Sequence, residues 1–497
     1  MLVIWSDNSI KNILFGTAIC KWFVVVLKRM FLLHFLTANE YKSLANIIDN
    51  KGGRRKTLKK KIMCVLLTIA VLCSVAVPSA PMMAASEPNI KGTSAVIMDA
   101  ATGEVLWSKD ADTVRPVASM TKVMAAYLVF EAVQAGRISM DTQVPVSTYT
   151  YYFSRDSVYS NIAFEWDKVY TVEDMLEAFL CYSACAAGPA LGELVYGSEE
   201  AFVAAMNAKA QEMGINARFD QSYDEGYMSA NAMATLSKQV IEECPEILTV
   251  TSRATFEFGG ETYPSSNSLL GTEDASIGYV DGLKTGWTPQ AGSCMAATAT
   301  KEGSRLITVT MNAKAVNARY SDSEALLKYG FAVLAERKAN GYAYASPNQA
   351  TVSMNGEQLS MQAYLANGNN YVRLRDFAAI LNGTGSQFGL TYDATNGAVV
   401  INNGAPYEGN NSSSIIQGGT VMSQLSQPVL YVDGVAYAID SYLIDDLNYM
   451  KIRDLCEAIG CGIEWDEATG QVVLVPKDTN VSEDSDDAAS VIETPAA

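Results

Sequence analysis

Histidine is almost missing from this chain of 497 residues. The one histidine, His34, lies upstream of a segment with the composition of an export signal, so the folded part has none. A Ser-His-Asp triad, a Cys-His pair and a histidine-ligated zinc site are therefore excluded there. If the chain is a hydrolase, its general base has to be a lysine or a carboxylate.

Basic residues are fewer than acidic ones, at 36 against 54, which gives a formal net charge of −18. This balance argues against nucleic acid and against anionic membrane surfaces as partners. The nine cysteines include no CxxC pair and no metal-ligand spacing, so we predict no metal and no cofactor. We expect buried free thiols, with a disulfide between Cys456 and Cys461 as the alternative.

Residues 51–85 have the three-part layout of a secretory signal. A basic run precedes an apolar stretch over 62–77, and small residues follow, which predicts cleavage after Ala84 or Ala85. The alternative is an uncleaved membrane anchor, because the apolar stretch is only slightly shorter than a spanning helix. In both cases we expect the protein outside the cytoplasmic membrane, secreted or at the cell surface. We assign no role to the N-terminal extension, residues 1–50.

The segment 86–337 has a mixed α/β pattern and predicts one domain. Its expected elements are strands at 94–99 and 104–108, helices over 119–135, 172–196 and 322–337, and a hairpin of strands 293–300 and 305–312.

An internal repeat lies beyond residue 345. Residues 371–381 match residues 449–459, and each copy is followed by an aromatic-Asp pair and a strand. We therefore divide the rest of the chain into two small α+β domains at 346–407 and 428–476, a polar linker at 408–427, and a disordered acidic tail at 477–497.

Ser119-Met-Thr-Lys122 is the first candidate for chemistry, at the start of a predicted helix. A spacing of three places the hydroxyl and the amine on one helix face, about one turn apart. Free backbone N–H groups at a helix N-terminus favour the negative charge that develops when a serine attacks. A lysine becomes a base only if its pKa falls toward neutrality, which requires burial or a neighbouring cation. Alone, the Ser-x-x-Lys pattern is weak evidence for catalysis, because roughly one or two copies arise by chance in a chain of this length.

Lys284-Thr-Gly286 supplies such a cation, directly after the strand-like segment 279–283. Gly286 lets a substrate backbone come close. An edge strand here would pair with an extended peptide and present Thr285 to its carboxylate. The triplet arises by chance in only roughly one such chain in ten. On its own it fits an exposed turn lysine as well as a catalytic one.

Together the two motifs resemble the penicillin-recognising serine enzymes. Segments 115–122, 265–271, 280–292 and 319–327 narrow the resemblance to the low-molecular-mass D-alanyl-D-alanine carboxypeptidases, over residues 88–337. The resemblance implies a penicillin-binding, β-lactamase-like transpeptidase fold of α/β (α+β) class, with an antiparallel sheet flanked by helices. It also implies removal of the terminal D-alanine from peptidoglycan stem peptides that end in D-Ala-D-Ala, and inhibition by β-lactams.

The same resemblance implies roles for single residues. Ser119 would be the nucleophile, Lys122 its general base, and Ser183 the shuttle that carries a proton to the leaving amine. Lys284 would make Lys122 a better base through its positive charge. The substrate-binding positions would be Cys185, Thr285, Gly286, Trp287 and Arg319. Among these, the Trp287 N–H would form an oxyanion hole with the Ser119 N–H, and Arg319 would support Lys284 and Thr285 in binding the carboxylate.

Cys185 departs from the family pattern. The middle motif of the family is Ser-x-Asn, and the matching segment here is Ser183-Ala-Cys185. A thiol donates and accepts more weakly than the amide that would bond the base lysine and the substrate. One lost hydrogen bond costs roughly 1–3 kcal/mol, or roughly ten- to a hundredfold in rate. We therefore expect a slowed enzyme.

The C-terminal repeats resemble the stalk-like domains named after the N-terminal region of copper amine oxidases, with no copper implied because histidine is lacking. The residues that the repeats share serve either to pack the core and form turns, or they belong to a wall-binding spacer. The amphipathic C-terminal membrane helix usual among the carboxypeptidases is not evident, so attachment to the wall or to the membrane stays open. Two other functions remain as alternatives. One is a β-lactamase, although no ExxLN-like segment supplies a carboxylate for its water; the other is a catalytically impaired scaffold that binds the cell wall.

Overall fold

The computed structural model describes residues 86–272, 274–393, 398–409, 416, 418–466 and 471–477. All of them belong to one compact unit that begins at Met83. The extension 1–50 with His34, the export segment 51–85 and residues 478–497 of the predicted tail lie outside the described residues. No helix in the described part of the chain combines the length and the apolar character needed to cross a bilayer.

The first part of the described chain contains twelve strands and eight α-helices. The strands are β1 (Ser94–Asp99), β2 (Val105–Lys109), β3 (Arg115–Pro116), β4 (Gln143–Val144), β5 (Tyr170–Thr171), β6 (Ala217–Phe219), β7 (Gly226–Met228), β8 (Thr255–Phe258), β9 (Glu261–Pro264), β10 (Tyr279–Thr288), β11 (Gly292–Lys301) and β12 (Ser304–Ala313). The helices are α1 (Lys122–Gln134), α2 (Thr148–Phe153), α3 (Val172–Glu177), α4 (Ala187–Tyr196), α5 (Glu199–Glu212), α6 (Ala230–Glu243), α7 (Glu246–Thr251) and α8 (Ala318–Ala339).

Five of these strands form the central antiparallel sheet, in the spatial order β10-β11-β12-β1-β2. Successive side chains of a strand point to opposite faces, so β1 contributes to two cores. Ala95 and Ile97 pack in the core that contains α8 residues, whereas Val96 and Met98 pack in the core that contains α1 and α6 residues. Helices thus cover both faces, and the predicted α+β class with an antiparallel sheet flanked by helices is confirmed.

The chain from 172 to 196, predicted as one helix, is broken in the middle. After a π-helical turn over Ala178–Tyr182, Ser183 has a φ of 80°, in the left-handed region. The Cys185 N–H then donates to the carbonyl of Ser160 (2.8 Å) and not to a helical carbonyl. The prediction of a continuous helix is wrong because contacts with a distant loop override a locally helical sequence.

The second part of the described chain is rich in strands. Its strands are β13 (Tyr342–Met354), β14 (Glu357–Ala366), β15 (Asn369–Arg373), β16 (Phe388–Asp393), β17 (Ala398–Asn403), β18 (Val421–Ser426), β19 (Val429–Val432), β20 (Val435–Ala438), β21 (Ser441–Ile444), β22 (Leu447–Lys451), β23 (Gly462–Asp466) and β24 (Gln471–Val475). Its two helices are α9 (Leu374–Leu381) and α10 (Ile452–Ile459). The strands form one sheet in the order β14-β15-β22-β21-β18-β13-β24-β23 and another in the order β16-β17-β19-β20.

The two sequence repeats fold alike, each as a strand, a helix and a hairpin. Their equivalent strands β15 and β22 pair antiparallel, with Val372 opposite Met450. Tyr371 lies opposite Lys451, and Arg373 lies opposite Tyr449. Because Tyr371 and Tyr449 are equivalent in the repeat, this register relates the copies by a local twofold axis, as in an isologous dimer.

Each copy also completes a sheet of the other. Strand β17 of the first copy pairs in parallel with β19 of the second, and β24 of the second pairs in parallel with β13 of the first. The two copies are therefore interlocked rather than strung along the chain. Within the range 408–427, predicted as a linker, residues 421–426 form β18 between β13 and β21. The linker prediction is wrong for these residues, because they form a half-buried strand of the sheet.

All six cysteines of the described residues are buried and free, which confirms the expectation of buried thiols. Cys456 and Cys461 are both free thiols, so the alternative of a disulfide between them is wrong.

Candidate active site

Ser119 and Lys122 lie at the start of α1, where the sequence motif places them. Ser119 belongs to a short 3-10 helix, Ala118–Thr121, and Lys122 is the first residue of α1. The Lys122 Nζ donates to the Ser119 Oγ at 2.8 Å. The one-turn spacing therefore becomes a direct contact between the amine and the hydroxyl.

The amine of Lys122 is fully buried and has three acceptors. Besides the Ser119 Oγ it reaches the Tyr223 carbonyl at 2.7 Å and the Cys185 Sγ at 3.4 Å. An ammonium group carries three donors, so each has one acceptor. The Phe179 ring, with its centroid 5.5 Å from the Nζ, closes the apolar side of this pocket.

Lys284 supplies a second buried amine from the edge strand β10. Its Nζ donates to the carbonyl of Thr285 at 3.1 Å. Burial lowers the pKa of Lys284 well below its ordinary value, and the positive charges of Lys122 and Arg319 lower it further. The site thus places two lysines against each other in a region shielded from water, where the cost of a second positive charge is high.

The broken helix brings Cys185 to the same pocket. Ser183, two residues earlier, is 7% exposed and has a left-handed backbone. The Cys185 N–H is held by the carbonyl of Ser160 (2.8 Å). Burial raises the pKa of the Cys185 thiol in spite of the nearby Lys122 charge. The thiol is therefore a neutral, weak partner at the position where the family has an amide.

A group of hydroxyls and one guanidinium surrounds Thr285. The Thr285 Oγ1 and the Ser266 Oγ are 2.8 Å apart, and the Tyr320 hydroxyl donates to the Ser266 carbonyl at 2.7 Å. Arg319 donates from Nη1 to the Gly286 carbonyl (3.0 Å). Its Nε is buried and has no hydrogen-bond partner among the described residues. These donors converge on the edge of β10 and suit a peptide carboxylate.

Gly286 allows the strand to approach the nucleophile. A Cβ at this position would lie 2.7 Å from the Val117 carbonyl oxygen and 3.3 Å from the Ala118 Cβ. Only glycine fits there. The close approach brings the backbone of Trp287, the next residue of β10, beside the 3-10 helix that contains Ser119, which suits the predicted oxyanion hole.

Sequence reasoning missed three groups at this site. Ser266 lies in a segment that carried the family resemblance, so that segment was the available signal. The Tyr223 carbonyl is a backbone group and has no side-chain signature. Asp224 follows it in the same loop; burial raises the pKa of its carboxyl, and the nearby charge of Lys122 opposes that shift. No motif marked this carboxylate. In the part of the chain that is described, no group of three or more His, Cys, Asp or Glu side chains could hold a metal.

Sequence comparison finds proteins that are related to this chain. Residues 81–315 match the sequence model of a family described as D-alanyl-D-alanine carboxypeptidase. The chain is 32% identical over 252 residues to D-alanyl-D-alanine carboxypeptidase DacC of Escherichia coli, which covers 49% of this chain and 62% of that protein. It is 31% identical over 284 residues to the carboxypeptidase DacD of Salmonella typhimurium, which covers 55% of this chain and 71% of that protein.

Similar proteins are also found among the solved structures. A penicillin-binding protein from Listeria monocytogenes, crystallised in its ampicillin-bound form, is 30% identical, with 49% of this chain and 100% of that chain covered and a TM-score of 0.44. The chain spans 62% of the length of DacC and 64% of the length of the Bacillus subtilis relative DacF.

Proposed function

Because the chain belongs to the D-alanyl-D-alanine carboxypeptidase family, we propose that it removes the terminal D-alanine from peptidoglycan stem peptides through an acyl-enzyme on Ser119. The observation that carries the proposal is the 2.8 Å hydrogen bond between Ser119 and Lys122, beside the buried amine of Lys284. A serine in contact with a desolvated lysine is an activated nucleophile that needs no histidine.

The substrate peptide adds as an extra strand to β10, the edge of the central sheet. Its terminal carboxylate binds among Thr285, Ser266 and Arg319, where hydroxyl and guanidinium donors converge. The scissile carbonyl oxygen then lies toward the backbone N–H groups of Ser119 and Trp287. Hydrogen bonds to an oxygen that gains negative charge stabilise the transition state more than the ground state.

Acylation moves one proton along a short path. Lys122 in its neutral form takes the proton of Ser119, and the Ser119 Oγ attacks the carbonyl carbon. Ser183 passes the proton on to the amine that leaves with D-alanine. The pocket holds one positive charge more readily than two, because two ammonium groups in one buried pocket repel. Water then hydrolyses the ester on Ser119.

The proposal also includes a location outside the cytoplasmic membrane and inhibition by β-lactams. The signal-like segment 51–85 supports a location outside the cytoplasmic membrane, where peptidoglycan lies. The ampicillin complex of the similar Listeria protein suggests that β-lactams acylate Ser119 as well.

Labelling by a fluorescent penicillin tests the proposal directly. We expect the purified chain to take up one label, and Ser119→Ala to take up none while it keeps its fold. Release of D-alanine from a peptide ending in D-Ala-D-Ala should disappear in the same variant. A folded wild-type chain that takes no label would overturn the proposal and favour a scaffold that binds the wall without chemistry.

A further inference from the structure

Exposed aromatic rings gather in one short segment of the catalytic region. Tyr149 and Tyr152 on α2 and Trp166 in the loop that follows are 51%, 69% and 57% exposed. A group of large aromatic side chains at the surface of a folded protein marks a place where another molecule binds. The reaction proposed above uses none of these rings, so their exposure needs a separate explanation.

Two of the rings form a flat surface together with Phe153, and we call Tyr149, Tyr152 and Phe153 the tyrosine platform. Tyr149 and Tyr152 are three residues apart on α2, so their side chains lie on one face of the helix, about one turn apart. The Tyr149 ring stacks on the Phe153 ring, with the centroids 5.7 Å apart and the planes 15° from parallel. Since Phe153 is buried, it anchors a ring that is itself half exposed.

A cavity of about 570 Å³ lies at the tyrosine platform and is open to solvent. Its lining consists of the three rings together with Thr148 and Asp156. The volume falls within the range of about 300–1,000 Å³ that is usual for small-ligand sites. Two phenol hydroxyls, one threonine hydroxyl and one carboxylate supply hydrogen-bond donors and acceptors around the apolar rings. A ligand that matches this lining has an apolar face and several hydroxyl groups.

The tyrosine platform adjoins the candidate active site. The Phe153 ring packs against the Tyr223 ring, with the centroids 5.0 Å apart, and the Tyr223 carbonyl accepts from the Lys122 amine (2.7 Å). The loop after α2 also reaches the site, because its Ser160 carbonyl accepts from the Cys185 N–H (2.8 Å). A single residue therefore separates the platform from the catalytic lysine. An extended peptide spans about 3.3–3.6 Å per residue, so roughly three or four residues of a bound substrate bridge this distance.

The charges near the cavity restrict the ligand. Asp156 lines the cavity, and Ser147, directly before α2, donates to the carboxylate of Glu193 at 3.2 Å. The guanidinium of Arg155 does not balance them at the platform, because it stacks on the Tyr151 ring, 3.7 Å from its centroid. Negative charge here disfavours phosphates and acidic lipid headgroups. An uncharged ligand with hydroxyl groups is favoured instead.

A sugar ring meets these requirements. One face of a pyranose carries mainly C–H groups, which are attracted to the negative face of an aromatic ring, and its rim carries hydroxyls. The N-acetylated sugars to which peptidoglycan stem peptides are attached have no charge of their own. We propose that the tyrosine platform binds the glycan strand of the substrate while the stem peptide lies along β10. As a subsite of the carboxypeptidase, the surface rests on the proposed function.

Glycan binding at this surface gives the enzyme a preference among substrates. The sugar contacts are remote from the scissile bond and are the same in the ground state and in the transition state. Such uniform binding lowers KM and leaves kcat unchanged. The enzyme therefore acts more efficiently on stem peptides that are attached to glycan than on the same peptides when free.

Binding of glycan without peptide tests the surface independently of the reaction. The purified full chain with Ser119→Ala is titrated calorimetrically with peptidoglycan strands from which the stem peptides have been removed. We expect the added pair Tyr149→Ala and Tyr152→Ala to raise the Kd about tenfold, the scale of a lost aromatic contact at a binding site. Tyr392→Ala is the matched control, because this tyrosine of the repeats is 67% exposed and should leave the Kd unchanged.

Kinetics then connect the surface with the reaction. Release of D-alanine is measured from one stem peptide, either free or attached to its disaccharide. In the chain with Ser119 intact, kcat/KM should be about tenfold higher for the attached form, through KM alone. Tyr149→Ala with Tyr152→Ala should abolish this difference and leave the values for the free peptide unchanged. Unaltered penicillin labelling checks that the fold is kept, and Tyr152→Ala alone, at the most exposed ring, provides the same test if the double variant is unstable.

The other outcomes decide against the inference or against the proposed function. Equal glycan affinity with and without the two tyrosines would overturn the inference, and so would a loss of affinity in Tyr392→Ala, which would place the glycan on the repeats. If the tyrosine variants lost binding to phosphatidylglycerol vesicles, or self-association in sedimentation, with glycan affinity unchanged, the surface would belong to a membrane or to a second copy. Intact glycan binding without release of D-alanine from either substrate would overturn the proposed function alone.

Discussion

The lysine pocket of the catalytic region (86–339) and the C-terminal pair of repeats (342–477) treat buried charge in opposite ways. In the repeats, Arg373 is buried and forms a salt bridge with Asp376 at 2.6 Å. In the catalytic region, the hydrogen bonds of the buried amines of Lys122 and Lys284 go to neutral acceptors. Pairing removes most of the cost of burying a charge. The lysine pocket leaves that cost in place, and the result is a reactive lysine pair.

The backbone shows the same contrast. In the repeats, left-handed residues other than glycine are Asn or Asp at turns, such as Asn355 and Asp433, types that tolerate this conformation. In the catalytic region, Ala118, Ser183 and Glu302 adopt it without such a preference. Glu302 lies in the turn between β11 and β12, whereas Ala118 and Ser183 flank the nucleophile pocket. Two of these three exceptions to the local rules therefore lie where chemistry takes place.

The largest expected effect comes from Lys284→Met. Loss of the second amine should lower the rate of penicillin labelling by on the order of 10³-fold. The variant should be more stable than the wild type, because a buried amine with a lowered pKa is removed. Between that lowered pKa and about 10.4, the unfolded chain binds more protons than the folded one, so wild-type stability rises with pH.

The stability gain of Lys284→Met should therefore be large at pH 6 and disappear above about pH 10.4. Melting temperatures and labelling rates across pH measure both effects. Lys338→Met is the control, since this lysine is exposed on the same region. A melting temperature that falls at every pH would assign Lys284 to structure instead.

In the repeats we expect the opposite result for Asp376→Ala, which should lower stability and leave labelling unchanged. Removal of the carboxylate leaves the Arg373 charge buried and should cost about 3 kcal/mol of unfolding free energy, with labelling unchanged. The equivalent Asp454→Ala should cost less than about 1 kcal/mol, because Asp454 and Lys451 are more exposed and 3.6 Å apart. Urea unfolding measures the difference. Equal costs would show that the two copies bury their charges alike.

A smaller effect is expected from Cys185→Asn. An amide accepts from Lys122 more strongly than a thiol does, and it offers a donor to the substrate. Labelling should become about tenfold faster, which corresponds to about 1.4 kcal/mol. Cys244→Ala, at another buried free thiol, should leave the rate unchanged. A slower Cys185→Asn would show that the pocket is adapted to sulfur.

The smallest effect should be that of Ala118→Gly. Glycine removes the cost of a left-handed alanine, so the free energy of unfolding should rise by about 1 kcal/mol. Asn355→Gly should change it by less than about 0.5 kcal/mol, because asparagine already tolerates this conformation. Thermal unfolding of both variants compares the regions. A similar gain at both sites would remove the contrast in backbone strain.

Local patterns in the sequence predicted the parts of the molecule that local forces determine. The central hairpin, the helix after Ser119 and the repeat all follow from alternation, capping or motif spacing. The contact between Ser119 and Lys122 also follows from spacing alone. By contrast, the break at Ser183 depends on a loop distant in sequence, which a helical pattern cannot reveal.

The groups that the sequence did not reveal also depend on contacts between distant parts of the chain. The Tyr223 carbonyl belongs to a loop, and only the tertiary fold brings it to Lys122. The exchange of strands between the copies depends on register across long separations, as in the pairing of Val352 with Val472. The resemblance of the repeats to copper-amine-oxidase domains and the export segment stay predictions, as do the domain limits apart from the linker residues 421–426.

The exchange of strands has a consequence for synthesis on the ribosome. The first copy emerges with the open edges of β13, β15 and β17, whose partners β24, β22 and β19 are still untranslated. An open edge invites pairing with other nascent chains. The earlier half must therefore stay unfinished, or be protected, until translation delivers the later half. The pair of repeats then folds in a single event near the end of synthesis. In evolution, gain or loss of one copy would expose all three strand edges at once.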